Sequence, residues 1–187
     1  MRVVFIGPPG AGKGTQSLRV AETLSLAHLS TGDILRTSRD AGDAIGLEAA
    51  KHFEAGRLVP DELVIKLVDE RIASDDCEQG YLFDGFPRTL GQAEALDDLL
   101  NDRGTPLDAV IEFSIPQDEL FKRLSERGRE DDSEETVRER LRLYASSTEP
   151  LLGYYQGRGV LRRINALGSP EEVFDRVLTA LKELEAA

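Results

Sequence analysis

Tryptophan is absent from this chain of 187 residues, cysteine and methionine occur once each, and aromatic residues make up 6%. With Cys77 alone, neither a disulfide nor a cysteine-built zinc site can form within one chain, and the residue reads as a small buried filler. Long apolar runs are also missing. No stretch approaches the roughly 20 residues that a membrane-spanning helix needs, and Met1 leads straight into a strand-like segment instead of a signal peptide, so a cytoplasmic location is expected. Basic residues are in deficit, with 23 Lys and Arg against 35 Asp and Glu, a net charge of −12. That balance opposes any general affinity for nucleic-acid backbones, because neutralising phosphates takes clustered Lys and Arg. A polyanionic ligand therefore needs locally placed cations. Internal repeats, low-complexity tracts and interdomain linkers are absent too, which leaves a single domain with a full core.

What is present is an alternation. Short apolar runs at Arg2 to Ile6, Ala27 to Leu29, Tyr81 to Asp84, Ala109 to Ile115 and Val160 to Asn165 are separated by longer segments of helical period. This pattern predicts an α/β fold, a parallel sheet with helices on both faces. The segment from Pro60 places Leu63, Val64, Leu67, Val68 and Ile72 on one helical face, with the proline in the first helical position. Ser169, Pro170 and Glu172 form an N-cap and capping box ahead of Val173, Val177, Leu181 and Leu184, a stripe that implies core and no chemistry. Residues 30–59 read as a small folded insertion, and residues 126–136, almost entirely polar, as an exposed flap.

The chemistry begins at Gly7 to Gln16, "GPPGAGKGTQ", between a strand and a helix. Glycines at 7, 10, 12 and 14 let the backbone wrap a phosphate with its N–H groups inward, the next helix adds its positive end, and Lys13 supplies a mobile charge. Gly14 stands where most such loops carry a magnesium-binding Ser or Thr, and Thr15 follows it. The second signal is "YLFDGFPR", Tyr81 to Arg88. If its strand neighbours the first, Asp84 lies beside the phosphate loop, where it can hold Mg²⁺ directly or through water. Gly85 then lets a ligand approach the backbone, and Arg88 offers a bidentate phosphate contact. Between Arg123 and Arg142, six arginines stand among seven acidic residues, which by itself reads as a solvated, salt-bridged helix face.

Five motifs occur in the order and spacing of one family. "GPPGAGKGTQ", "STGDILR" (Ser30 to Arg36), "GRLVPDELV" (Gly56 to Val64), "DGFPRTLGQA" (Asp84 to Ala93) and "ETVRERL" (Glu135 to Leu141) resemble those of the adenylate kinases over essentially the whole chain. The resemblance implies a P-loop NTPase-type, five-stranded parallel sheet flanked by helices. Its core would be residues 1–29, 60–125 and 137–187, its NMP-binding insertion 30–59 and its short lid 126–136. It implies reversible transfer between ATP and AMP to give two ADP, in the service of adenine nucleotide homeostasis. ATP would meet Gly10, Ala11, Gly12, Lys13, Gly14, Thr15, Arg123, Arg127 and the backbone carbonyl of Ala166, which replaces the usual glycine. AMP would meet Thr31, Arg36, Arg57, Leu58, Val59, Gly85, Phe86, Pro87, Arg88 and the Gln92 amide, with Arg129 and Arg140 reaching across both nucleotides. Arg57 stands in place of the commoner lysine. Arg138 and Arg142 keep the solvated reading.

Phosphoryl transfer between two anions needs screening, exclusion of water and aim. Lys13, Arg88, Arg123, Arg129 and Arg140 are accordingly expected to stabilise the transferring group, and Asp84 with Asp33 to organise Mg²⁺ through water. Many bacterial relatives carry a longer flap with four metal-ligand residues; the short one here excludes a structural zinc. The expected partners are ATP, AMP and ADP, with no nucleic acid and no membrane, and the expected state is a monomer. A UMP or CMP kinase is the nearest alternative, against which Thr31 and Gln92 favour AMP. A regulatory switch would want an Asn-Lys-x-Asp guanine-reading motif that the chain lacks, and a structural nucleotide-binding protein stays open.

Overall fold

The computed structural model describes residues 1–53, 59–127 and 134–185. Five parallel strands form one sheet: β1 (Arg2–Ile6), β2 (Ala27–Ser30), β3 (Tyr81–Asp84), β4 (Ala109–Ser114) and β5 (Leu161–Asn165), in the order β2-β3-β1-β4-β5. The α/β sheet expected from the alternation is therefore the one observed, with strand ends shifted by single residues. β1 lies between β3 and β4, in register from Arg2↔Tyr81 to Phe5↔Asp84 on one side and from Val3↔Ala109 to Ile6↔Glu112 on the other.

Successive strand residues point to opposite faces, and in β1 both faces are covered. Val4 and Ile6 join Leu29, Phe83, Val110, Leu96 and Tyr155 in one core. Val3 and Phe5 join Leu82, Ile111, Phe113, Val20 and Val177 in the other. A strand buried twice reads as an unbroken apolar run, which is why "VVFI" shows no alternation. Each such side chain contributes about 1.5–3 kcal/mol by leaving water.

The helices on the second core's face are α1 (Lys13–Thr23), which follows β1, α6 (Gln117–Arg127) and α9 (Pro170–Glu185); the first core's face is covered by α4 (Asp61–Ile72), α5 (Leu90–Asp102) and α8 (Leu151–Gly157). The capping box at α9 forms as read: Ser169 Oγ accepts from Glu172 N at 3.3 Å and Glu172 Oε2 accepts from Ser169 N at 2.8 Å. At α4 the proline differs by one place. Pro60 has an extended ψ of 135°, so it precedes the helix as its cap residue, and Asp61 is the first helical residue. Val64, Leu67, Val68 and Ile72 are buried on the predicted face.

Between β2 and α4 the chain forms α2 (Thr31–Asp40) and α3 (Ala44–Phe53). Ser30 caps α2 by accepting from Asp33 N, and Asp43 closes the turn by accepting from Ser38 Oγ at 2.5 Å and Gly46 N at 2.6 Å. α7 (Glu134–Leu143) runs through a π-helical turn, Tyr144–Thr148, toward α8. Cys77 is buried and its thiol sits 3.2 Å from the Arg71 guanidinium. Among the described residues no helix is long and apolar enough to cross a membrane.

Candidate active site

The loop between β1 and α1 has its shape fixed by neighbours. A Cβ on Gly7 would stand 2.9 Å from Phe113 Cβ and 3.1 Å from the Phe113 carbonyl, and one on Gly10 would stand 2.9 Å from Leu124 Cγ. Gly10 and Gly12 also take left-handed φ values of 87° and 91°. Lys13, the first residue of α1, folds back and donates to Gly7 O at 2.5 Å and Pro8 O at 3.1 Å. Its ammonium keeps a partial view of solvent but is closely surrounded by protein. Burial there pushes it down from 10.5 to about 8, with Asp84 pulling up and Arg88 adding to the drop.

Asp84 ends β3, and the pairing of β3 with β1 and β2 places it where the sequence required. A Cβ at Gly14 would lie 3.5 Å from Asp84 Oδ2, so the glycine and the carboxylate face one another. Burial raises the Asp84 carboxyl, but nearby His28, the Lys13 charge and the Ser17 hydroxyl outweigh it and hold the group below its usual range. Ser17 Oγ stands 3.2 Å from Asp84 Oδ2, 3.1 Å from Gly14 O and 3.0 Å from His28 Nε2. At 3.9 Å from Asp84, His28 acts through the serine. Neither Ser17 nor His28 was anticipated, since only the β2–β3 pairing brings His28 to this carboxylate.

The loop after β3 organises the second half of the site. Gly85 O accepts from both Thr31 Oγ1 at 3.1 Å and Arg88 Nε at 2.7 Å, which joins the start of α2 to the arginine. Arg88 keeps an exposed surface although protein crowds around its guanidinium; that crowding lowers it, Asp84 opposes, and the like charge of Arg140 adds to the lowering, yet an arginine remains a cation. Lys13, Asp84 and Arg88 are thus close enough to feel one another's charge, and Arg88 also feels that of Arg140. Phe86, Pro87 and Val59 are buried beside them. Gln92 is buried rather than solvated, its amide bonded to Arg88 N and to Asp61. Arg36 pairs with Asp33, whose carboxyl is held low chiefly by that contact.

At the other end of the phosphate loop Arg123 donates to Glu119 Oε1 at 2.8 Å and to Ala166 O at 3.2 Å, so two residues expected at ATP touch each other. Arg176 braces the loop after β5, which carries Ala166, by donating to Asn165 O at 2.8 Å and to Leu167 O. Ala11 is buried under the loop, while Gly14 and Thr15 are exposed. Arg142 pairs with Glu139 on the surface, in keeping with its solvated reading. Arg57, Leu58 and Arg129 lie outside the described residues, as does most of the 126–136 flap. Arg127 closes α6, and its side chain is likewise outside them.

Everything gathered here stands at the carboxyl ends of the strands, where open α/β sheets bind ligands. A shallow depression lined by Met1, Arg2, Asp108 and Leu184 lies at the opposite ends, where the charges are those of the Met1 terminus and the Arg2–Asp108 pair. Sheet order, phosphate loop and charge pattern define a phosphotransferase of the P-loop class. A family model described as adenylate kinase matches residues 5–160. Among curated proteins called adenylate kinase, one from Mycolicibacterium smegmatis is 50% identical over 181 residues, covering 97% of this chain and 99% of that protein. One from Thermus thermophilus is 50% identical over 183 residues, 96% of each chain, and one from Thermobifida fusca is 48% identical over 186 residues, 97% and 98%. The chain belongs to the adenylate kinase family. It is an enzyme, and its reaction is the reversible conversion of ATP and AMP into two ADP.

Proposed function

We propose that the chain performs this reaction with Mg²⁺ as its divalent ion, and that Lys13, Asp84, Arg88, Arg123, Arg129 and Arg140 carry it. The observation that supports this reading is the placement of Asp84 at the end of β3, beside the phosphate loop and between the charges of Lys13 and Arg88, with Arg140 next to Arg88. Lys13 and Arg88 about one carboxylate, with Arg140 beyond, suit two phosphorylated nucleotides better than one. Lys13 leaves the Gly7 and Pro8 carbonyls for the β- and γ-phosphates, and the loop from Gly10 to Thr15 offers its N–H groups. Arg123 and Arg127 hold the ATP side together with the Ala166 carbonyl. On the acceptor side Arg36 exchanges Asp33 for the AMP phosphate, and Arg88 takes the same phosphate. Thr31, Arg57, Leu58, Val59, Gly85, Phe86, Pro87 and Gln92 surround the acceptor nucleoside.

The donor set fits a metal that arrives with the nucleotide. Asp84 is a single carboxylate held by Ser17 beside the bare Gly14 position, with Asp33 in reach of His28's field. Among the described residues no cluster of three or more His, Cys, Asp or Glu is arranged to hold an ion. Mg²⁺ usually keeps several waters and takes one or two carboxylates plus phosphates. When bound it supplies charge neutralisation on the phosphate oxygens. The protein's part is aim and dryness: segments 30–59 and 126–136 close over the nucleotides, because an open site would hand the phosphoryl group to water. The reading is of a cytoplasmic monomer acting on small nucleotides without nucleic acid or membrane, a view the net charge of −12 supports.

The experiment is to incubate the protein and MgATP with AMP, UMP, CMP, GMP or dTMP and measure the diphosphate formed. ADP formation that requires AMP is expected. ATP hydrolysis indifferent to the acceptor would favour an ATPase and overturn the reading of a second, acceptor nucleotide site.

A further inference from the structure

Gln92 sits in the first turn of α5, 3% exposed, and both ends of its amide are held. Oε1 accepts from the Arg88 backbone N–H at 2.7 Å, and Nε2 donates to Asp61 Oδ1 at 2.7 Å from a residue 31 positions away. The other Asp61 oxygen accepts from Thr89 Oγ1 at 2.8 Å, and that hydroxyl accepts from Gln92 N at 3.1 Å, capping α5. The partners decide which way the amide faces. A carboxylate only accepts and a backbone N–H only donates, so turning the amide over would set oxygen against oxygen and N–H against N–H. An amide has two donor hydrogens and two lone pairs. The internal bonds use one of each, leaving one donor and one acceptor in a fixed order.

That order is what a base edge senses. Adenine presents an amino donor at N6 next to an acceptor at N1; guanine presents an acceptor at O6 next to an N1–H donor, the reverse sequence. An amide free to turn pairs with either, while one that is held pairs with a single edge and leaves the other facing like against like. We propose that Asp61 is the specificity-determining positioning residue of the acceptor site, fixing the Gln92 amide together with the Arg88 N–H so that an adenine-type edge is taken and a guanine-type edge refused. This rests on the reading of Gln92 at the AMP base and deepens it. Helix capping does not account for Asp61, since both of its oxygens are committed to α5.

The test is steady-state kinetics with AMP and with GMP for the wild type, Asp61→Ala, Gln92→Ala and the double variant. Asp61→Ala should raise the KM for AMP about tenfold and lower the AMP-to-GMP ratio of kcat/KM about tenfold, the loss expected for a hydrogen bond to a charged group. The KM for MgATP should change less than twofold. In the Gln92→Ala background the Asp61→Ala step should leave the ratio where it is, because its route of action is gone. A tie that merely holds α4 to α5 would weaken AMP and GMP alike and lower Tm, and an unchanged ratio, or an equal fall without Gln92, overturns the proposal. Should Asp61→Ala not fold, Asp61→Leu keeps the branched shape and offers no acceptor, so it should relax the ratio severalfold; a ratio kept at the wild-type value overturns the proposal as well. A wild type without preference for AMP would instead defeat the underlying acceptor reading, an outcome visible before any variant is made.

Discussion

Replacing Lys13 with methionine should abolish turnover and at the same time make the protein harder to unfold. The ammonium is driven from 10.5 to about 8, chiefly by burial. A lysine lowered in the folded state costs stability wherever the unfolded chain holds the proton more tightly, so the penalty is complete below about pH 8 and fades as pH rises toward 10.5. At pH 7 it amounts to about 2–3 kcal/mol once the solvent that reaches the ammonium is allowed for. Methionine removes that penalty but gives up the bonds to Gly7 O and Pro8 O, worth about 1 kcal/mol because water can replace them. The net gain of about 1–2 kcal/mol corresponds to a Tm higher by about 2–8 °C for a chain of this size. Thermal unfolding of both proteins at pH 7 and pH 9.5 checks it. The gap should shrink by about 1–2 kcal/mol at the higher pH, where wild-type Lys13 is largely neutral. A variant less stable than the wild type at pH 7, or a gap indifferent to pH, would refute the electrostatic account.

The same lysine should make kcat/KM for ATP fall above about pH 8, while kcat falls only at higher pH because bound phosphates hold its proton; coincident profiles would contradict this. Gly7→Ala pushes a methyl to 2.9 Å from Phe113 Cβ and 3.1 Å from its carbonyl, and should cost about 1–3 kcal/mol in urea unfolding together with a raised KM for ATP. Arg88→Lys keeps the charge but gives up the planar fork, so turnover measured by coupled ADP assay should drop at least about tenfold; an unaltered rate would remove Arg88 from the chemistry. Arg129→Ala should lower turnover by orders of magnitude, and near-normal turnover would sink its assignment to the lid.

Signals that live within a few residues were legible in the sequence. The capping box at Ser169 and Glu172, the unbroken apolar run of β1 and the glycine pattern ahead of Lys13 each carry their cause beside them. Asp84 was legible conditionally: its role required β3 to adjoin β1, and the register Phe5↔Asp84 meets that condition. Contacts made between distant parts of the chain left no local mark. His28 reaches Asp84 only because β2 forms the sheet edge next to β3. The π-helical turn brings the Thr148 hydroxyl to the Arg88 carbonyl at 3.0 Å, across 60 residues, and Asp61 finds Gln92 through the packing of α4 on α5. Pro60 shows the limit of local rules from the other side, since a proline suits either the first helical residue or the one before it, and ψ decided.

The four glycines of the phosphate loop are kept for different reasons. Phe113 and Leu124 leave no room at positions 7 and 10, and a left-handed φ governs position 12. Position 14 is under none of these constraints: it lies inside α1, without a left-handed φ, and a Cβ would rest at an ordinary 3.5 Å from Asp84. Alanine there would add helix propensity of up to about 1 kcal/mol, and the chain forgoes it. The fold therefore keeps one side of Asp84 clear at a small thermodynamic loss. In the metal role proposed for it, a carboxylate whose neighbour is room for water, with no rigid hydroxyl there, should adjust to ions of different radius, so turnover with Mn²⁺ is expected to approach turnover with Mg²⁺, and strict dependence on Mg²⁺ would contradict that role.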